Sequence, residues 1–406
     1  MSRYPLIPSF LLLFTLIGCQ ASTRAGWRAY QSGDPNTAAE VWTPLAEAGD
    51  ADAQYLLGLL HDDGAGRPEN DEIAARWYRL AAAQGHAAAQ TNLGYLHFVG
   101  SGVELSYQRA AELYSAAADQ GFAAAQANLG VMYLFGNAVE RDLDQARDLL
   151  LAAARKGDTT AQRTLGAVYY DGIGVDADPR TAAVWFERAA EGNNMQAAQR
   201  LGLMYLRGDG VDQDEAEARK WLERAADLGA PAAQFILGCL LNEGIGGPTD
   251  HDRAVALFRA ADQNGIPEGS LNIGLAYLRG QGVDQNDSQA VAWIRRAAES
   301  GVARAKYDLG LLYLQGRGVE RDATLARIWF EQAASEGVAV AHRRLGSMHE
   351  AGAGVDVDPL EAFKHYSLAA ALGDQAGHLD ADRITPRLTT YQRAEARRMA
   401  FDWTVN

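Results

Sequence analysis

Residues 165–175 read LGAVYYDGIGV, and this order of a leucine–glycine pair, a tyrosine and a glycine-rich loop returns along most of the chain. A second glycine column and an alanine column, which begin at Gly64 and Ala74, keep the same spacing. Self-similarity at a fixed period of about 20–50 residues is the signature of a repeat array. The sequence therefore predicts nine copies of one unit without insertions, because the glycine of the pair recurs every 36 residues at Gly58, Gly94, Gly130, Gly166, Gly202, Gly238, Gly274, Gly310 and Gly346.

The first half of each unit predicts a helix. Ala53, Leu57 and His61 follow one another at intervals of about one helical turn and form its buried face. Most later units have tyrosine where His61 stands, so the three histidines of this column are interpreted as substitutes for that ring; they are His61, His97 and His349. Gly58 lies in the middle of the helix, where glycine costs about 1 kcal/mol relative to alanine. Its recurrence predicts that a bulky ring from the neighbouring helix packs over it.

The second half of each unit predicts a second helix after a short loop. The loop, for example residues 172–175, ends the first helix through glycines that adopt left-handed conformations. Ala138 and Asn193 replace glycines at two such turns. The second helix carries an aromatic or aliphatic pair such as Trp329-Phe330, and the regular place of the tryptophans favours core packing over a carbohydrate platform. It begins after a residue suited to cap it, which is Asn70, Ser106, Asp142, Asp178, Asp214, Asp250, Asn286, Asp322 or Asp358.

One such helix pair cannot bury its apolar face alone, whereas a stack of pairs can. The Leu-Gly pair, the tyrosine, the Gly-x-Gly-Val loop and the Trp-Tyr-x-x-Ala-Ala helix resemble the Sel1-like repeat family, a relative of the tetratricopeptide repeats, over roughly residues 48–373. This resemblance implies an all-α fold, an α/α superhelical solenoid of antiparallel helix pairs. It also implies that the first helices line the concave surface.

The N-terminus predicts export. Arg3 precedes a short apolar run, too short to span a bilayer comfortably, that ends in Leu16-Ile17-Gly18-Cys19. This ending resembles the lipobox of bacterial lipoproteins, which implies acylation of Cys19, cleavage before it and anchoring through the acyl chains. The residue after it is Gln20 and not aspartate, which favours an outer-membrane lipoprotein that faces the periplasm. An ordinary signal peptide with an incidental cysteine is the alternative.

These features divide the chain. Between the signal and the repeats, Asp34 fits the capping column and indicates a degenerate first pair. After the repeats, residues 379–403 predict two helices, of which the arginine-rich one over 390–400 shields the last repeat. The predicted organisation is a signal peptide over 1–18, an acylated N-terminus with a degenerate helix pair over 19–49, nine repeats over 50–373 and capping helices over 374–406.

Composition and motifs exclude several functions. The net charge of −15 argues against nucleic acid as a partner, because phosphate binding depends on clustered Lys and Arg. The second cysteine, Cys239, lies in an apolar helical stretch and is interpreted as a small buried side chain. No two histidines lie four residues apart with a carboxylate, as in a zinc protease, and no phosphate-binding or nucleophile motif occurs. The sequence therefore predicts no catalytic residues, no metal site and no small-molecule cofactor.

Two sets of equivalent residues, those at position 56 and those at position 63 of the first repeat and every 36 residues after them, vary in chemistry where the neighbouring positions are constant. Positions 56 and 63 are seven residues apart and are predicted to share one helical face. Amide and guanidinium groups there suit an extended peptide, since asparagine both donates and accepts hydrogen bonds. A merely solvated helix face is the alternative. The candidate partner-binding residues are Asn92, Asn128, Phe135, Arg200, Arg207, Asn272, Arg279, Asp308 and Arg344, of which Arg200, Arg207, Asn272 and Arg279 are predicted to form the central polar patch.

The resulting hypothesis is a membrane-anchored, non-enzymatic scaffold that binds envelope proteins or peptides in its concave groove. A narrower alternative is an assembly factor for an exopolysaccharide secretion complex of the alginate type, since such systems use lipoproteins of similar architecture. An alternative of another class is a cryptic envelope enzyme or small-ligand receptor, which would need convergent ionisable residues outside the periodic columns.

Overall fold

The computed structural model describes residues 23–65, 69–395 and 398, and within them the chain is helical and contains no strand. Cys19 and the predicted signal peptide lie outside these residues. The helices are α1 (Arg24–Gln31), α2 (Pro35–Glu47), α3 (Ala51–Asp62), α4 (Asp71–Ala83), α5 (Ala87–Val99), α6 (Tyr107–Asp119), α7 (Ala123–Phe135), α8 (Leu143–Arg155), α9 (Thr159–Asp171), α10 (Pro179–Glu191), α11 (Met195–Arg207), α12 (Glu215–Asp227), α13 (Pro231–Glu243), α14 (His251–Gln263), α15 (Glu268–Arg279), α16 (Asp287–Glu299), α17 (Ala303–Gln315), α18 (Ala323–Ser335), α19 (Ala339–Ala351), α20 (Pro359–Ala371) and α21 (Gln375–Ile384).

The helices form two compact units with their boundary between Trp221 and Leu222, inside α12. In the first unit each helix packs against the next from α1 to α11, and in the second unit from α13 to α21. The predicted fold class, a solenoid of consecutive helix pairs, is confirmed. Among the described residues, no helix combines the length and the apolar character that a membrane span requires.

Capping residues begin the second helices. In α10, for example, the Asp178 carboxylate accepts hydrogen bonds from the backbone N–H groups of Arg180 and Thr181, both at 3.1 Å. Such bonds satisfy donors that have no partner inside the helix. All nine predicted caps are confirmed, and Asp34 caps α2 in the same way.

The mid-helix glycines permit close packing within a pair. A Cβ atom on Gly58 would lie 2.6 Å from ring atoms of Tyr78, and one on Gly310 would lie 2.7 Å from the ring of Phe330. The prediction of a ring over the glycine is thus confirmed for these repeats and for Tyr114, Phe186, Phe258 and Tyr366. In two repeats it is wrong in detail, because Leu150 and Ile294 take the place of the ring.

The aromatic pair of the second helix has one buried and one half-buried member. Phe330 is completely buried, whereas Trp329 lies at the edge of an apolar cluster and keeps part of its ring in solvent. The core-packing prediction is therefore confirmed for Trp221, which is buried, and applies only in part to the half-buried Trp77, Trp185, Trp293 and Trp329. The pair sits on adjacent helical positions, about 100° apart, so both cannot point at the same neighbour.

A column of glutamines joins several of the first helices to the preceding repeat. The amide of Gln54 in α3 donates to the carbonyl of Ala46 in α2 at 3.0 Å, and Gln84 donates to Gln54 at 2.8 Å. Gln90 and Gln162 make the corresponding bonds to carbonyls in their own preceding helices. Since these bonds satisfy carbonyls near helix ends, they fix the turn between successive pairs.

Both ends of the array differ from the repeats. At the N-terminal end, the indole of Trp42 in α2 packs on Gly26 and donates to the carbonyl of Thr23 at 3.1 Å. At the C-terminal end, α21 is followed by a 3₁₀ turn at Thr385–Arg387, and Ile384 is buried against the last repeat. The first predicted cap helix thus begins earlier than expected. The second is helical over residues 390–395, and most of its remainder falls outside the described residues.

Candidate partner-binding surface

The two variable columns differ in exposure, so the prediction that they form one polar face is only half right. We call position 63 and its equivalents the end column, because these residues close the first helices. All nine members are exposed, and they are Asp63, Val99, Phe135, Asp171, Arg207, Glu243, Arg279, Gln315 and Ala351. Each end-column residue is followed by the glycine at which the chain leaves the helix. The next residues therefore run away from the helix and do not cover its side chain.

Position 56 and its equivalents form what we call the middle column, which faces neighbouring helices instead. Its only exposed member is Arg200, whereas Leu56, Asn92, Asn128, Thr164, Ile236, Asn272, Asp308 and Arg344 are buried or half-buried. The column precedes the mid-helix glycine by two residues, and its side chains reach a neighbouring helix, as Asn92 of α5 reaches Tyr78 of α4. Packing therefore constrains this column more strongly than its varied composition indicates.

Several middle-column side chains already have partners. Asn92 donates to the hydroxyl of Tyr78 at 3.0 Å, and that hydroxyl donates to the carboxylate of Asp62 at 2.9 Å. Burial and the neighbouring Asp62 raise the pKa of Tyr78 well above its usual value. Asn272 donates to the Glu268 carbonyl of its own helix at 3.0 Å. Asn92 and Asn272 therefore act first as structural groups, and a peptide would have to compete for them.

Asn128 and Arg344 are the exceptions in this column. Among the described residues, neither the amide of Asn128 nor the buried Nε of Arg344 has a hydrogen-bond partner. Both side chains are half-buried. They retain hydrogen-bonding capacity for a ligand.

In the first unit, Arg200 and Arg207 gather around a tyrosine that the sequence analysis did not single out. The guanidinium of Arg200 lies 5.0 Å above the ring centre of Tyr170, whose hydroxyl donates to Asp209 at 3.1 Å. Burial and then Asp209 raise the pKa of Tyr170, and the charges of Arg200 and Arg207 oppose this rise. These residues, the Tyr170 cluster, place the cation of Arg200 over an aromatic ring, and the charge of Arg207 is close enough to act on the same tyrosine.

In the second unit, Arg279 lies near the middle column. Burial raises the pKa of Asp308, whereas the adjacent Arg304, at 3.1 Å, and then Arg279 lower it. Arg304 was absent from the predicted site because its column carries no distinctive pattern. The four residues expected in one polar patch thus fall into two groups, with Arg200 and Arg207 in the first unit and Asn272 and Arg279 in the second.

Two large apolar side chains of the end column are exposed to water, an environment that is unfavourable for apolar groups. Phe135 is 65% exposed and Val99, one repeat earlier, is 40% exposed. The two side chains occupy the same column on consecutive repeats, and exposed apolar side chains that form a patch mark interaction sites. By contrast, Cys239 is half-buried, and burial together with Glu243 raises its thiol pKa to about 11, so it behaves as an apolar side chain.

Constant columns that pack and one varied column that faces solvent define a class of protein, the helical repeat solenoid. The Sel1 repeat matches nine consecutive segments, residues 51–86, 87–122, 123–158, 159–194, 196–229, 231–265, 267–302, 303–338 and 339–374. The chain belongs to the Sel1 repeat family. Such repeats are generally protein-interaction scaffolds and not catalytic domains.

Two solved structures are similar over long stretches. One is c5321, a protective antigen present in uropathogenic Escherichia coli strains that displays an SLR fold; it is 28% identical with a TM-score of 0.58, over 94% of this chain and 91% of that chain. The other is a Sel1 repeat protein from Oxalobacter formigenes, also 28% identical with a TM-score of 0.56, over 60% of this chain and 99% of that chain. Comparison with curated proteins found no match.

Proposed function

We propose that this protein is a non-enzymatic scaffold that holds protein partners of the bacterial envelope against the end column of its first helices. The observation that carries the proposal is that this column is exposed in all nine repeats while its chemistry changes from repeat to repeat. The columns that build the scaffold are constant and buried. A surface that is free of packing constraints and chemically varied is suited to selecting a partner.

In the first unit, the chemistry of the end column and of the Tyr170 cluster indicates the kind of partner. Val99 and Phe135 offer apolar contacts, and the Tyr170 cluster offers Arg200 and Arg207. Guanidinium groups pair with carboxylates in bidentate geometry. The matching partner is an extended segment that carries apolar side chains and acidic groups. The net charge of −15 on the whole chain repels such a segment elsewhere, which would favour docking at the arginines.

Photocrosslinking tests this surface directly. A photoreactive phenylalanine analogue at position 135 is expected to capture a partner in intact cells, because Phe135 is 65% exposed in the end column. The matched control is the same analogue at Val184, which is 47% exposed on the second helix α10. Equal capture from both positions, or capture from 184 alone, would contradict the proposal.

The proposed location rests on the motif at Leu16-Ile17-Gly18-Cys19, which supports acylation of Cys19 and an outer-membrane lipoprotein that faces the periplasm. Three acyl chains exceed what stable membrane attachment needs. Cys19→Ala is therefore expected to abolish incorporation of an alkyne fatty acid and to release the protein from the membrane fraction. Cys239→Ala is the control that should keep the label. Equal labelling of the wild type and Cys19→Ala would refute the anchor.

A further inference from the structure

The last repeat replaces two aromatic rings by histidines that face each other. Repeat eight has Tyr313 in its first helix and Trp329 in its second, and the equivalent residues of repeat nine are His349 in α19 and His365 in α20. The two imidazole rings are stacked with centroids 5.7 Å apart and planes 17° apart. In this chain, repeat nine alone has histidine at both positions.

A carboxylate completes the group. Glu361 precedes His365 by four residues and therefore lies one helical turn away on the same face of α20. Its Oε2 atom is 4.0 Å from Nε2 of His365. One donor atom from each of His349, Glu361 and His365 can be chosen such that all three lie within 4.8 Å of one another.

The surroundings favour metal ligation over simple ring packing. The Nδ1 atom of His349 is buried and has no hydrogen-bond partner among the described residues. Nδ1 of His365 lies 3.0 Å from Nδ1 of His342, which leaves Nε2 of His365 turned towards Glu361. Nε2 is therefore the nitrogen of His365 that can ligate an ion together with Glu361.

We propose that His349, Glu361 and His365 bind a divalent transition-metal ion with the ligand preference of Zn²⁺. Two imidazoles and one carboxylate form a donor set that such ions accept, with solvent in the fourth position. Tetrahedral ligands about 2.1 Å from zinc lie about 3.4 Å apart, so the side chains must close by roughly 1.4 Å. The side chain of Glu361 is 31% exposed, which provides a path for the ion to enter.

Two neighbours have defined roles in this proposal. His342 orients His365 through the contact between their Nδ1 atoms, as outer partners of metal-ligating histidines do. Lys364 competes with the metal, because its ammonium group contacts Glu361 Oε2 at 3.1 Å. Since the ligands come from both helices of the pair, a bound ion would link α19 to α20 and stabilise the last repeat.

The test titrates the purified, untagged and chelator-treated full chain with Zn²⁺ alone by calorimetry and with Co²⁺ by visible absorption. We expect one ion per chain, visible bands typical of tetrahedral Co²⁺, and a Tm that rises with added Zn²⁺. His349→Tyr and His365→Trp should abolish all three signals. Both variants restore the residues of repeat eight, so the helix pair should still fold, and far-UV circular dichroism checks this.

Further variants separate ligation from packing. His97→Tyr removes a histidine of the same column in repeat two, where Leu113 stands opposite, and should leave binding unchanged. His342→Gln installs the residue found in five other repeats. It should weaken the affinity about 10–100-fold without changing the Tm of the metal-free chain. Lys364→Met should increase the affinity for the metal ion.

The proposal is overturned if the wild type binds no ion or if His365→Trp binds as well as the wild type, in which case the histidines serve only as packed rings.

Discussion

Phe330 and Phe135 are the same residue type on two columns of one repeated design. Phe330 is completely buried over Gly310, with the ring of Tyr307 5.6 Å away, whereas Phe135 ends α7 with 65% of its surface in solvent. The position of Phe330 is filled by a large apolar or aromatic residue in all nine repeats, whereas the position of Phe135 varies from aspartate to arginine to alanine. The contrast teaches that one helix pair divides its columns by packing: the column of Phe330 stabilises the fold, and the column of Phe135 is left exposed and is the surface proposed for recognition.

The largest expected effect is the loss of stability in Phe330→Ala, for which Phe135→Ala is the matched comparison. Phe330→Ala should lower the free energy of unfolding by about 3–5 kcal/mol, because it leaves a cavity between helices that are held apart by the ring. Phe135→Ala should change it by less than about 0.5 kcal/mol, since its ring is largely hydrated already. Urea denaturation followed by circular dichroism measures both values. Similar losses in the two variants would mean that the columns do not divide stability from recognition.

Removal of arginines tests the recognition half of the comparison. Arg200→Ala and Arg207→Ala should each weaken partner binding by about 2–5 kcal/mol if their charges pair with partner carboxylates away from water. Helicity and Tm should stay unchanged, because both side chains are exposed. Binding of a partner obtained by crosslinking can be measured by calorimetry. Arg180→Ala, exposed on α10, is the control, and full binding by the Arg200/Arg207 double variant together with a loss in Arg180→Ala would place the interface on the other helices.

Trp329→Ala probes a position between the two extremes. The indole packs against an apolar cluster while part of it remains in solvent, so its removal should cost about 1–2 kcal/mol, less than the removal of Phe330. The same urea denaturation gives the value. A cost above that of Phe330→Ala would show that the tryptophan, and not the phenylalanine, fills the space between the helices.

Repeats one and nine show what sequence periodicity cannot reveal. Tyr78 donates to Asp62, and Tyr366 donates to Glu350 at 2.9 Å, so a tyrosine and a carboxylate occur together at both ends of the array. The partners are 16 residues apart and belong to different columns. Reading one column at a time therefore misses them, as it missed Tyr170 beside Arg200 and Arg304 beside Asp308.

The sequence by itself determined the features whose causes are local. A 36-residue period with aligned glycines, alanines and caps was enough to predict the helix pairs and their order, because a cap bonds to backbone only two or three residues away. The mid-helix glycine predicted close packing between helices, because glycine destabilises the helix and a close contact must offset this loss in every repeat. The division of the chain into signal, acylated segment, repeats and cap stays a prediction, as does the binding role of the candidate residues.

Only the tertiary structure decided which of two similar columns faces solvent and which side chains meet. The direction of a side chain on a helix depends on what packs against that helix, and a column's composition does not record it: the amides of the middle column look as polar as the end column, yet they are half-buried. The convergence of His349 with Glu361 and His365 likewise requires two helices to be placed side by side, because residues 12 to 16 positions apart have no fixed distance until the pair has packed.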